Sequence, residues 1–449
     1  MLLLKSIPKI DKFVQHKSFE ILSKKLITKI SKTIIEKLRD DILNQKITTI
    51  DEEKLVFDVL EEYQNIINPS LQTVINATGV IVHTNLGRSL ISKHTFEKVK
   101  DIVTSYNNLE YDLQKGKRGE RYSHISKSIC ELTGCEDVLI VNNNASAVFL
   151  ILNTFAKNKE VVVSRGELVE IGGSFRVPDV MSSSGAILKE IGTTNKTHLK
   201  DYIEATNENT AILMKVHKSN YTIEGFTKEV SHEEIVAVAK ERDIIDYYDM
   251  GSGHMIDLPY NLSQNEPNVL DIVKYDPSLL SFSGDKLLGS IQAGIIIGKK
   301  KYIDELKKNQ LLRMLRVDKI TLAILEDTIN LLLLDKKEEI PTLNMLFTPV
   351  EVLNDRALEL QHLLKNICTT TIIQTQTVIG GGTTPNKKIP TVALQIEFNH
   401  YKANNLEKIF RKNNIIGRIE NDMFILDFRS ILKEQIKTLA NAIIKITHG

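Results

Sequence analysis

Ser281-Phe-Ser-Gly-Asp-Lys-Leu-Leu-Gly-Ser-Ile-Gln-Ala-Gly294 sets one lysine, Lys286, among small residues. Ser283, Gly284, Gly289 and Ser290 leave room for a flat ligand to approach the backbone, and Ala293-Gly-Ile-Ile-Ile-Gly298 reads as a buried strand starting just beyond. Such a frame suits a lysine that forms an imine with an aldehyde. Only a neutral amine attacks a carbonyl, and a desolvated amine beside other electron-poor groups is the one that sheds its proton. With 58 Lys and Arg in the chain, the segment by itself equally describes an exposed lysine in a turn, so its surroundings have to decide.

Outward from this stretch, apolar runs of strand length alternate with helical segments. The runs are Val138–Val141, Val161–Ser164, Ile187–Ile191, Ala211–Val216, Ile244–Asp249, Leu279–Phe282 and Gly294–Ile297. That alternation predicts an α/β domain with a mostly parallel sheet over residues 85–335, whose part from Asp304 to Asp335 is helical. A smaller α/β domain is expected over 336–449, with strands at Val392–Phe398 and Met423–Phe428 and a closing helix at Leu432–Thr447. Upstream, Ile21, Leu22, Leu26, Ile30, Ile34, Ile35 and Leu38 recur at helical spacing, which predicts a small helical domain over 1–65 and a linker over 66–84. The first 46 residues hold eleven Lys or Arg against five Asp or Glu. Such a surface can follow a phosphate backbone, and it is also what an ordinary solvated helix face looks like.

Composition narrows the class. At 449 residues and 42% hydrophobic, the chain can bury a large core. The 58 basic and 57 acidic residues nearly cancel, so whole-chain charge gives no argument for a nucleic-acid partner. Cys130, Cys135 and Cys368 have neither disulfide-framework nor metal-ligand spacing, and the expectation is a cytoplasmic protein with no membrane partner. His83, His124, His217 and His254 lack the spacing of a metal site.

Three features join Lys286. Val138-Leu-Ile-Val-Asn-Asn-Asn-Ala-Ser-Ala147 runs from a strand into a helix, and Asn144, Ala145 and Ser146 can receive a phosphate there, although a plain helix cap has the same look. Asp246-Tyr-Tyr-Asp-Met-Gly-Ser-Gly253 ends a strand in Asp249, a carboxylate able to keep a pyridine nitrogen protonated. Met214-Lys-Val-His-Lys-Ser-Asn-Tyr221 ends another in Asn220, a candidate donor to a ring oxygen. Phosphate turn, ring-oxygen donor, acid and lysine follow one another as they do when successive strands contribute their carboxyl ends to one site. The cofactor this order describes is pyridoxal phosphate, with Ser283 lining its pocket. The chain has no Gly-x-x-x-x-Gly-Lys-Ser/Thr, and Gly380-Gly-Gly382 reads as a flexible turn.

Longer stretches carry a resemblance. Ile75-Asn-Ala-Thr-Gly-Val80, His83-Thr-Asn-Leu-Gly-Arg88, Glu110-Tyr-Asp-Leu-Gln-Lys-Gly-Lys-Arg-Gly119, Asp249-Met-Gly-Ser-Gly253, Ser283-Gly-Asp-Lys286, Gln310-Leu-Leu-Arg-Met-Leu-Arg-Val-Asp318, Gly380-Gly-Gly-Thr-Thr-Pro385 and Ile416-Gly-Arg-Ile-Glu420 together resemble the bacterial selenocysteine synthases, the L-seryl-tRNA(Sec) selenium transferases. The resemblance spans nearly the whole chain. It implies a fold-type-I pyridoxal phosphate enzyme, an N-terminal domain that contacts the tRNA, and a homodecameric ring of dimers. It implies β-elimination of water from L-seryl-tRNA(Sec) and selenium addition to a dehydroalanyl-tRNA, with selenophosphate as donor. Arg88, Arg313 and Arg316 resemble the arginines that receive that donor, the last two on one helical face. Asp285 is expected to protonate the departing hydroxyl or to orient Lys286. Arg429 is expected to be structural, because the esterified substrate has no free carboxylate. A related pyridoxal phosphate lyase or transferase acting on a small amino acid is the alternative.

Overall fold

The computed structural model describes residues 2–172, 175–264, 266–398 and 401–448. The chain divides into two compact units, 1–73 and 74–449.

In the first unit, helices α1 (Lys24–Leu43) and α2 (Glu52–Ile67) each turn one apolar stripe inward. Ile27, Ile30, Ile35 and Leu38 of α1 are buried with Leu55, Val56, Val59 and Tyr63 of α2. The three- and four-residue spacing of these side chains makes each helix amphipathic. Phe13 and Phe19 complete the core edge to face, 5.7 Å between ring centroids. Asp51 starts α2 by accepting from the Lys54 amide at 3.1 Å, a cap of about 1 kcal/mol.

The second unit is built on a seven-stranded sheet. Its strands are β1 (Asp137–Val141), β2 (Glu160–Ser164), β3 (Ile187–Ile191), β4 (Thr210–Val216), β5 (Ile245–Gly251), β6 (Leu279–Ser283) and β7 (Gly294–Gly298). Their order in space is β1-β7-β6-β5-β4-β2-β3. All neighbours are parallel except β7, which runs antiparallel between β1 and β6. Every residue of β1, β6 and β7 is buried, as required of strands covered on both faces. Helix α3 (Ser123–Thr133) leads into β1, and helix α4 (Asn144–Phe155) leaves its carboxyl end.

The segment expected to be helical from Asp304 to Asp335 is three helices: Lys300–Lys308, Leu312–Leu315 and α5 (Lys319–Leu333). The breaks fall at Asn309 and Arg316, whose backbones are extended, and Asp318 caps α5 by accepting from the amides of Ile320 and Thr321.

Toward the C-terminus a second sheet contains β8 (Thr369–Gly380), β9 (Thr383–Glu397), β10 (Arg418–Glu420) and β11 (Met423–Asp427), in the order β8-β9-β11-β10. Its apolar face packs with Leu353, Ala357, Leu360, Phe410, Leu439 and Ile443. The chain just after the unit boundary joins this region: Ile75–Asn76 pairs with Ile415–Ile416, and the Val82 amide donates to the Ile379 carbonyl at 2.8 Å. As a result the turn between β8 and β9 lies over the carboxyl end of the large sheet, where the chemistry is assembled.

Candidate active site

Lys286 lies three residues past the end of β6 and is only 5% exposed. Burial depresses its amine below the ordinary lysine value; Asp249 and Asp285 pull it back up, and Arg88 pushes it further down. Its Nζ donates to the Gly382 carbonyl at 3.4 Å. Gly382 belongs to the turn between β8 and β9, so the Gly380–Gly382 run expected to be a flexible turn is a backbone cap on the lysine. A side chain at Gly382 would place its Cβ 3.1 Å from Lys286 Nζ, at a φ of +85°, which is why the turn is glycine.

Asp249, near the end of β5, is buried as well, and burial pushes its carboxyl up from the usual range. Asn144 opposes that shift by donating from Nδ2 to Asp249 Oδ1 at 2.7 Å. The Asn144 side chain thus holds the acid, a role beyond the one expected of it in the phosphate turn. The helix cap is its neighbour Asn143, which accepts from the Ser146 amide at 2.9 Å. The cap uses only that amide, and the amides of Asn144 and Ala145 open the same first turn of α4.

Asn220 also departs from expectation. It is exposed, and its Nδ2 donates to the Glu170 carbonyl at 2.7 Å. Strand β4 ends at Val216, so sheet alternation no longer decides which residue of the following turn points inward. Ser219 does. It is 1% exposed, and its hydroxyl has no partner among the described residues. A Cβ built on Gly251, where φ is +74°, would lie 3.5 Å from Ser219 Cβ and 3.9 Å from Lys286 Nζ, so Ser219 and the lysine nitrogen both lie against Gly251.

Asp285 is 6% exposed and pairs with Arg88 at 2.9 Å. Arg88 has a left-handed backbone, φ +62°. Ser89 fastens the same segment to the lysine loop, its hydroxyl donating to the Lys286 carbonyl at 2.8 Å. Ser283 is buried at the end of β6, in register with Gly294.

Arg313 and Arg316 do not share a helical face, because the helix stops at Leu315. Arg313 is exposed. Arg316 bridges to Val141 through its backbone, beside the α4 turn, and its guanidinium reaches Glu110 at 3.4 Å. Glu110 also pairs with Arg121 at 2.8 Å and Arg118 at 3.4 Å. One carboxylate thus gathers three guanidinium groups. Arg118 and Arg121 lie at the end of and just past the quoted Glu110–Gly119 stretch, and only the fold brings them to Arg316.

One network was not legible in the sequence. Glu266 is buried, and burial alone would raise its carboxyl; bonds from His217 (3.3 Å), Ser252 and the Thr384 amide (3.1 Å) hold it below the usual value. His217 and Glu266 line a cavity of about 740 Å³ with Lys218, Tyr221, Thr384 and Lys387. Arg429 is fully buried, donating to the carbonyls of Met345, Thr348 and Pro390.

These residues fit pyridoxal phosphate. A buried amine of lowered basicity suits the aldehyde, a buried carboxyl suits the pyridine nitrogen, and Asn144 Oδ1 and Ser219 Oγ are buried polar atoms that no other described residue satisfies. Among the described residues no group of His, Cys, Asp or Glu is arranged to hold a metal, and no helix is long and apolar enough to cross a membrane.

Comparison with known proteins agrees with this chemistry. The solved structure of D-glucosaminate-6-phosphate ammonia-lyase is similar in fold, with a TM-score of 0.60 at 17% identity over 86% of this chain and 98% of that one. The fold is the α/β architecture of the fold-type-I pyridoxal phosphate enzymes, and pyridoxal phosphate is the cofactor. Among curated proteins, the L-seryl-tRNA(Sec) selenium transferase of Sulfurimonas denitrificans is 64% identical over 100% of both chains. That of Nautilia profundicola is 53% identical over 99% of this chain and 98% of its own. A family profile described as L-seryl-tRNA selenium transferase matches residues 74–432. With the whole site inside that match, the chain belongs to the L-seryl-tRNA selenium transferase family.

Proposed function

We propose that the chain converts L-seryl-tRNA(Sec) to L-selenocysteinyl-tRNA(Sec), taking selenium from selenophosphate. Family membership supports the conversion, and the observation that carries the site is Lys286, a buried amine of lowered basicity between the Asp249 carboxyl and the Gly382 carbonyl. When bound, pyridoxal phosphate supplies a sink for negative charge at the serine α carbon.

The chain's own residues do the rest. Lys286 Nζ holds the cofactor and then takes the α proton. Asp249, fixed by Asn144, receives the pyridine N–H. The Ser219 hydroxyl takes the ring-oxygen role expected of Asn220, and the first turn of α4 receives the phosphate through the Asn144 and Ala145 amides and the Ser146 hydroxyl. Asp285 is engaged by Arg88, which favours an orienting role over proton donation. Arg88, Arg313 and Arg316 receive the anionic donor, because guanidinium groups match phosphate oxygens two at a time. The proton taken up by Lys286 Nζ leaves with the β-hydroxyl as water, selenium of selenophosphate then adds to the β carbon, and hydrolysis of the P–Se bond releases phosphate.

The helical unit of residues 1–73 contacts the tRNA, the chains assemble as a decameric ring of dimers, and the enzyme works in the cytoplasm. Incubation of the protein with seryl-tRNA(Sec) and selenophosphate, followed by release and identification of the esterified amino acid, tests the proposal. Selenocysteine is expected. Recovery of serine alone, from a preparation that carries its cofactor, would overturn it.

A further inference from the structure

Two cysteines outside the site lie against one another. Cys130 is in the last turn of α3, Cys135 follows Gly134, and their sulfurs share a hydrogen bond at 3.4 Å. Both are partly exposed. Gly134 ends the helix with φ +79°, and that left-handed turn folds Cys135 back onto Cys130. The Cys135 amide donates to Thr133 Oγ1 at 3.3 Å, which fixes the return. A disulfide closes at about 2.05 Å, so a sulfur movement of roughly 1.4 Å joins the two.

We propose that Cys130 and Cys135 form a redox-active dithiol that closes to an intramolecular disulfide on oxidation by a hydroperoxide. A cysteine thiolate attacks the peroxide oxygen, the O–O bond breaks, and the alcohol or water leaves with one proton while the sulfur becomes a sulfenic acid. The second thiol attacks that sulfur, the S–S bond forms, the S–O bond breaks, and water departs with the remaining proton. In sum, two thiols and one hydroperoxide give one disulfide, one alcohol and one water.

The hydrogen bond from Cys135 Sγ to Cys130 Sγ couples the two thiols, so either sulfur can meet the peroxide first while the other resolves. Asp137, whose charge bears on both thiols, is paired with Lys307 at 2.8 Å. Cys368 provides an internal control: among the described residues it hydrogen-bonds to no other cysteine, and burial pushes its thiol up to about 11. The pair sits at the amino end of β1, opposite the turn that carries Asn144, so closure does not require the cofactor site to change. The inference is independent of the proposed activity.

The test uses full-length holoprotein treated with a small molar excess of hydrogen peroxide, denatured, alkylated with a maleimide and mapped by mass. The expected result is a fall from three alkylated cysteines to one, a cross-linked Cys130–Cys135 peptide, and recovery of all three with dithiothreitol. Cys130→Ser and Cys135→Ser should each leave a sulfenic acid on the remaining cysteine of the pair, which dimedone captures. Three alkylated thiols after oxidation, a cross-link through Cys368, or linkage only between chains would each overturn the proposal. The wild-type map decides even where a variant folds poorly.

Discussion

Asn144 shows what a single side chain can do to a buried acid. Asp249 would be hard to ionise in its setting, and the amide bond at 2.7 Å is the largest influence opposing burial. A hydrogen bond to a charged group contributes about 1.5–3 kcal/mol, so Asn144→Ala should weaken cofactor binding by roughly ten- to a hundredfold. Spectral titration of the apoprotein measures it, and an unchanged affinity would remove Asn144 from the site. His254 gives a second residue-scale outcome. Burial holds it down at about 4 against an ordinary value of 6.5, so between those pH values the unfolded chain binds a proton that the folded chain does not. The neutral ring therefore costs no stability above about pH 6.5, and stability is lost progressively as pH falls toward 4. Denaturant unfolding of His254→Asn should accordingly show a shallower loss of stability over that window than the parent. Equal slopes would mean that His254 titrates normally.

At the scale of elements, the large sheet was legible because buried parallel strands are continuous apolar runs, and all seven expected runs overlap strands. The fourth-strand turn was not, since Ser219 and Asn220 are adjacent polar residues and only the path of the chain beyond Val216 decides between them. The Arg313–Arg316 spacing suggested one helical face, but the extended backbone at Arg316 breaks the helix. Least legible was the long hairpin of β8 and β9, because Thr369-Thr-Thr-Ile-Ile-Gln-Thr-Gln-Thr-Val378 is mostly polar. Its β-branched threonines at alternate positions were the available signal. That hairpin brings Gly382 to the lysine. Gly382→Ala adds both a Cβ 3.1 Å from Nζ and a left-handed backbone cost of about 1 kcal/mol. Selenium transfer should fall at least tenfold, measured beside thermal unfolding. Full activity would show that the cap does not bear on the amine.

At the scale of the molecule, units 1–73 and 74–449 have separate apolar cores. Removing residues 1–73 should weaken seryl-tRNA(Sec) binding at least tenfold in a filter or mobility assay while the visible absorption of bound cofactor remains. Retained tRNA affinity would move the recognition surface elsewhere. Everything proposed for the reaction rests on which amine carries the cofactor. Two lysines with buried side chains are chemically distinguishable here: Lys286, capped by Gly382, and Lys215, whose Nζ donates to Glu167 and to the Val230 carbonyl, each at 2.9 Å. Borohydride reduction of the holoprotein, digestion and peptide mass mapping fix the cofactor to the lysine that held it. The predicted result is a pyridoxyl group on the peptide containing Lys286, absent in Lys286→Ala; a label on Lys215, or on no lysine at all, would contradict the assignment of the site.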